Sequence, residues 1–228
     1  MPTRDEVPLR ALETPRAAAL AGVVFALLFG VALSLVHLSM PGGFDQDAEE
    51  FVAPQGRLTL AVALMPFAGI AYLWFVAVVR DGFGQVEDRF YSTVFMASSL
   101  LFLAMIFVAV AVAAGLGNVS GDEPESAQQA VVEFGSGIVG SAGGTFALRM
   151  AAVSMMSLAT IWLKSGVMQR WLVIVSYATA VILLVASNLS VWISLLYPVW
   201  ALIISLSILF TAFAERDDED PVAGGVRG

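Results

Sequence analysis

Between residues 17 and 213 the charged side chains fall in short clusters, and the stretches between the clusters are almost wholly apolar for 17 or more residues. A helix needs about 20 mostly apolar residues to cross roughly 30 Å of hydrocarbon. Six segments meet that requirement: 17–40, 58–79, 91–115, 144–163, 171–187 and 190–213. The fifth is the shortest, and only Asn188 and Leu189 separate it from the sixth. The pair is expected to form a tight helical hairpin, because one segment of more than 40 residues far exceeds any single crossing. Composition agrees: 59% of the 228 residues are hydrophobic and 13% charged, too few charges to cover a water-facing surface. The expected fold is an all-α polytopic membrane protein with six transmembrane helices.

Positively charged loops are retained in the cytoplasm, so the lysines and arginines orient the chain. Arg4, Arg10 and Arg16 precede the first span, Arg80 and Arg89 lie between the second and third, Lys164 and Arg170 between the fourth and fifth, and Arg216 and Arg227 follow the last. The opposite side carries only Arg57, and Arg149 lies inside a span. Both termini are therefore expected in the cytoplasm, in the cell (cytoplasmic) membrane. The chain then divides into an N-terminal cytoplasmic segment (1–16), the six-helix domain (17–213) and an acidic tail (214–228) expected to be disordered. The first span reads as an uncleaved signal anchor, since Leu38-Ser39-Met40-Pro41 lacks small residues at a cleavage spacing.

Several chemistries are excluded at this level. No cysteine occurs and there is one histidine, so disulfides, thiolate metal sites and histidine-rich metal sites are ruled out. No metal or cofactor is expected. Apart from the orienting arginines there is no basic patch, which excludes nucleic acid as a partner. The two outer loops are acidic, with Asp45, Asp47, Glu49 and Glu50 in the first and Asp122, Glu123, Glu125 and Glu133 in the second. Acids translocate freely, so this asymmetry needs no conducted cation to explain it.

The charge that needs explanation is Arg149, in Phe146-Ala147-Leu148-Arg149-Met150-Ala151-Ala152. It lies 15 residues outward from Lys164, about 22 Å of helical rise, which places its backbone in the outer third of the bilayer. No span contains an aspartate or glutamate, so the guanidinium needs backbone carbonyls, hydroxyls, water, a lipid phosphate, an anionic ligand or a loop acid such as Glu133. Pro66 and Pro198 lie at similar depth and are expected to kink their helices, freeing the carbonyls of Val62 and Ser194. Arg149, Ser194 and Tyr197 thus form the candidate ligand-binding set. The segment 135–145 holds five glycines among small residues. It fits close helix packing, an unwound re-entrant stretch, or an outward extension of the fourth helix.

Other features read as structural. The cytoplasmic loop with Arg80, Asp81, Asp88 and Arg89 superficially resembles the loop between helices two and three of major-facilitator transporters, but its downstream basic pair is missing. It reads as a charged turn. His37 and the tryptophans Trp74, Trp162, Trp171, Trp192 and Trp200 fall mostly near span ends, as interfacial anchors do. Ser98, Ser99, Ser154, Ser157, Thr160, Ser176 and Tyr177 are placed to hydrogen-bond across the bundle.

Three motifs carry a family resemblance: Gly166-Val167-Met168-Gln169-Arg170-Trp171-Leu172, Tyr197-Pro198-Val199-Trp200 and Arg149-Met150-Ala151-Ala152. By these the chain resembles uncharacterised six-helix membrane proteins of bacteria, especially actinobacteria. The resemblance implies the six-helix layout and no activity; Gln169 stands where that family's pattern has proline. No nucleophile or acid/base pair lies at membrane depth and no internal repeat is evident, so the expected function is a non-enzymatic accessory or structural subunit of a membrane complex. Its partners would be the bilayer and either another membrane protein or further copies of itself. The other readings are a small-solute or anion permease or channel using Arg149 near the kinked helices, and an intramembrane lipid-modifying enzyme.

Overall fold

The computed structural model describes residues 14–39, 55–81, 89–118, 124–166, 168–186 and 190–219, and among these there is no strand. Seven α-helices follow one another: α1 (Thr14–Ser39), α2 (Gln55–Asp81), α3 (Arg89–Leu116), α4 (Glu125–Val139), α5 (Leu148–Ser165), α6 (Arg170–Ala186) and α7 (Leu196–Glu219). A π-helical segment, Gly140–Ala147, joins α4 to α5, and a 3-10 turn, Val191–Leu195, leads into α7. Five helical stretches are long and apolar enough to cross a membrane: Ala19–Ser39, Gly56–Arg80, Arg89–Leu116, Glu125–Ser165 and Trp192–Phe210. The apolar α6, at 17 residues, is shorter; its rise of about 25 Å lies at the lower limit for a crossing.

Periodicity explains how each helix faces its neighbours. In α2 the buried residues Met65, Ala68, Tyr72, Phe75, Val76 and Val79 recur every three or four positions, while Phe67, Ile70 and Trp74 on the other side are 62%, 54% and 67% exposed. Both faces are apolar, the pattern of a helix with protein on one side and lipid on the other. Lipid tails are as apolar as leucine, so close packing and interhelical hydrogen bonds must hold such helices together. At Gly22 in α1 a Cβ atom would meet the Ser205 side chain of α7 and the Phe75 ring of α2. That missing side chain lets three helices meet.

The helices close into a ring. α1 packs most extensively on α2 and next on α7, α2 on α3, α3 on α5, α5 on α6, and α6 on α7. His37 at the end of α1 lies edge-on to Trp192 in the 3-10 turn, with ring centroids 5.9 Å apart. At the other end of the bundle Lys164 of α5 sits over the Tyr91 ring of α3, 4.4 Å from its centroid. α6 therefore runs from the Lys164 end to the Trp192 end. Gly166 reverses the chain between α5 and α6: its φ of 69° is one that side-chain-bearing residues avoid, and its N–H donates to the Trp162 carbonyl at 3.0 Å.

Several local features are now defined. The glycine-rich segment 135–145 is helical, so α4, the π segment and α5 form one continuous stretch, Glu125–Ser165, of 41 residues. The second outer loop shortens accordingly to the connection before Pro124. Pro66 lies inside α2, whose helical backbone continues past it. Pro198 is the third residue of α7, where a missing N–H costs no helical bond, so it starts a helix where a mid-helix break was expected. The α7 backbone remains helical to Glu219, so the acidic run begins as helix, and the tail from 220 onward lies outside the described residues.

Candidate functional site

The middle of the ring is filled by aromatic side chains from four helices. Phe25 and Phe29 of α1, Tyr72 of α2, Phe102 of α3, and Tyr197 and Trp200 of α7 are all at most 2% exposed. Their centroids are linked at short range: Phe25 to Tyr72 at 4.7 Å, Tyr72 to Phe102 at 5.4 Å, Phe102 to Tyr197 at 4.6 Å and Tyr197 to Trp200 at 5.7 Å. Most are tilted or edge-on, the geometries that favour aromatic pairs.

Most polar tips inside this plug satisfy one another. The Tyr72 and Tyr197 hydroxyls are hydrogen-bonded at 2.7 Å, and Ser154 Oγ lies 3.5 Å from the Tyr197 hydroxyl while donating to the Ala151 carbonyl at 2.7 Å. Ser99 faces the Tyr72 hydroxyl, but its Oγ has no well-aligned partner. The Trp200 indole donates to Ser176 Oγ at 2.8 Å, and Ser176 in turn donates to the Leu172 carbonyl at 2.8 Å. Thr160 and Tyr177 share a hydrogen bond at 2.6 Å. The short α6 is thereby tied to α7 on one flank and to α5 on the other. Ser98 and Ser157, by contrast, bond carbonyls of their own helices. Trp200 and Trp162 are 2% and 4% exposed, so they are core residues; the expected anchoring position at span ends suits only Trp74, Trp171 and Trp192.

A second region lies on the outside of the ring. Along α3 and the α4–π stretch runs a groove of about 530 Å3, lined by Met105, Glu133, Phe134, Gly137, Ile138, Ser141, Ala142 and Phe146. The π segment forms where Gly140, Gly143 and Gly144 lower the cost of a wider turn, and π-helical segments recur at functional sites. A Cβ atom at Gly143 would stand 3.2 Å from the Ala109 methyl, which brings α3 close behind the groove. Phe134 is 73% exposed at its outer end.

The predicted ligand set separates. Tyr197 is at the ring's centre and Ser194 is buried on the 3-10 turn one helical turn before it. Arg149 is half-buried on α5 and, among the described residues, makes no hydrogen bond or ion pair. The Ser194 carbonyl receives the Leu196 N–H, so it is not an orphan waiting for the guanidinium. Glu133 stands exposed on α4. Arg80 and Arg89 are exposed at the ends of α2 and α3; Asp81 ends the α2 backbone, and Asp88 lies outside the described residues, as do Asp45, Asp47, Glu49 and Glu50. No group of three or more histidines, aspartates or glutamates among the described residues could hold a metal ion. Tyr72 escaped the sequence reading; its signal was a lone tyrosine in the middle of an apolar span, whose hydroxyl must find a partner. No protein-family model, curated protein or solved structure matches the chain.

Proposed function

We propose that the chain is a non-enzymatic accessory subunit of a cell-membrane complex, crossing the bilayer six times with both termini in the cytoplasm. We place it with the six-helix bacterial proteins that its C-terminal motifs resemble. The observation that carries the functional reading is the contrast between a ring whose centre is filled by interlocked aromatic rings and a helix, α4, that presents Val131 and Phe134 outward at 51% and 73% exposure. A permease needs a path past Phe25, Phe102 and Tyr197, and their packing at 4.6 to 6.2 Å between centroids counts against one along the ring axis. An exposed apolar strip beside acidic and polar residues is what a docking surface requires. The six-span topology draws support from α6, which joins opposite ends of the bundle.

Native mass spectrometry of the full chain, gently extracted from its own membranes, tests this reading. A stoichiometric protein partner lost on Phe134→Asp is the expected result. A lone protomer, with and without that substitution, would refute it.

A further inference from the structure

Among the described residues Arg149 has no counter-charge. Side chains in an α-helix tilt toward its N-terminus, so from α5 the guanidinium reaches toward α4. Its backbone is 15 residues from Lys164, about 22 Å, and the side chain adds about 6 Å, which brings the charge to where roughly 30 Å of hydrocarbon gives way to phosphates. Met105 of α3, 16 residues from Arg89, stands at a similar height of about 24 Å. It lines the inner end of the groove together with Phe146, three residues before Arg149. On the same continuous helix the acid of the groove, Glu133, is 16 residues away, about 24 Å, beyond the reach of an ion pair. A half-buried guanidinium that no described residue pairs is placed to take an anion from outside the chain. Its planar fork fits phosphate with two parallel hydrogen bonds.

We propose that Arg149 binds the phosphate of a phospholipid in the leaflet on the α4 side, the lipid lying at the inner end of the groove between Met105 and Phe146. The site goes beyond the accessory reading and stands or falls without it. Depth and charge select the occupant: the groove's inner end is apolar, and its only cation-bearing neighbour on this helix lies at the level of lipid phosphates.

The full chain, purified in detergent, is titrated with phosphatidylglycerol or with diacylglycerol of the same acyl chains, and bound lipid is counted by native mass spectrometry. Wild-type protein is expected to retain phosphatidylglycerol and not diacylglycerol. Arg149→Ala should weaken that binding about tenfold or more, and Arg149→Lys less, because an ammonium keeps the charge and loses the fork. Millimolar inorganic phosphate should leave the lipid bound. Equal binding by Arg149→Ala, or equal retention of diacylglycerol, would overturn the proposal, and displacement by inorganic phosphate would replace the lipid with a free anion. Thermal unfolding of Arg149→Ala should match or exceed wild type, since no bond to a described residue is lost; a lower unfolding temperature with unchanged lipid binding would make Arg149 structural and overturn the site.

Discussion

The aromatic centre of the ring and the long α4–α5 helix settle their polar groups in opposite ways. At the centre Tyr72 reaches Tyr197 across 125 positions of sequence and Trp200 reaches Ser176, so most polar tips are spent inside the protein. Along the outer helix Arg149 and Glu133 find no partner among the described residues, and Phe134 and Phe146 stand exposed. In a bilayer the first arrangement fixes how helices pack, because interior polar groups have nowhere else to go. The second leaves chemistry for something outside the chain to complete.

If that contrast is right, substitutions at the centre act on stability and those on the outer helix act on binding. The largest effect is expected for Tyr197→Ala, which removes a ring in contact with Phe25, Tyr72, Phe102 and Trp200. A loss of about 3–5 kcal/mol is expected for a buried aromatic truncated this way, measurable by reversible unfolding in mixed micelles. Gly22→Leu comes next: it forces a side chain against Ser205 and Phe75 and should cost about 1–3 kcal/mol by overpacking. Tyr72→Phe keeps the ring and loses one hydrogen bond, and in a membrane bundle such bonds are worth about 0.6 kcal/mol, at most about 1.7. A double-mutant cycle with Tyr197→Phe should return that coupling; a value near zero would mean that the two hydroxyls do not act as a pair. Smallest is Phe134→Asp, expected to stay within about 0.5 kcal/mol of wild-type stability while abolishing partner retention. A large loss of stability there would erase the distinction between the two regions.

The membrane-length helices were legible as long apolar runs, and the Lys164–Arg170 pair marked the turn before α6. What was illegible was either amphipathic or nonlocal. The stretch from Glu125 to Val139 is polar and glycine-containing, so it reads as a loop until Val131, Phe134 and Ile138 are seen recurring at three to four positions. Tyr197 was visible from its motif, but its partner could not be, since nothing local to Tyr72 says which helix it will face. Pro198 looked like a kink because its place in the span was counted from Ser190, while the helix proper begins at Leu196 after a 3-10 turn. Arg149 was legible as a lone charge; that no described residue pairs with it required the packing.

The π segment between α4 and α5 has a mechanical consequence. It winds more residues into each turn than the α-helices on either side, so it sets the rotational phase of the outer helix relative to the part packed in the ring. Adding or deleting one residue among Gly140–Ala147 would turn Val131 and Phe134 by about 100° about the helix axis while α5 kept its seat against α3 and α6. The eight residues act as a coupling whose angle is set by residue count, and a change in that count would re-aim the exterior surface at the expense of its packing on α3.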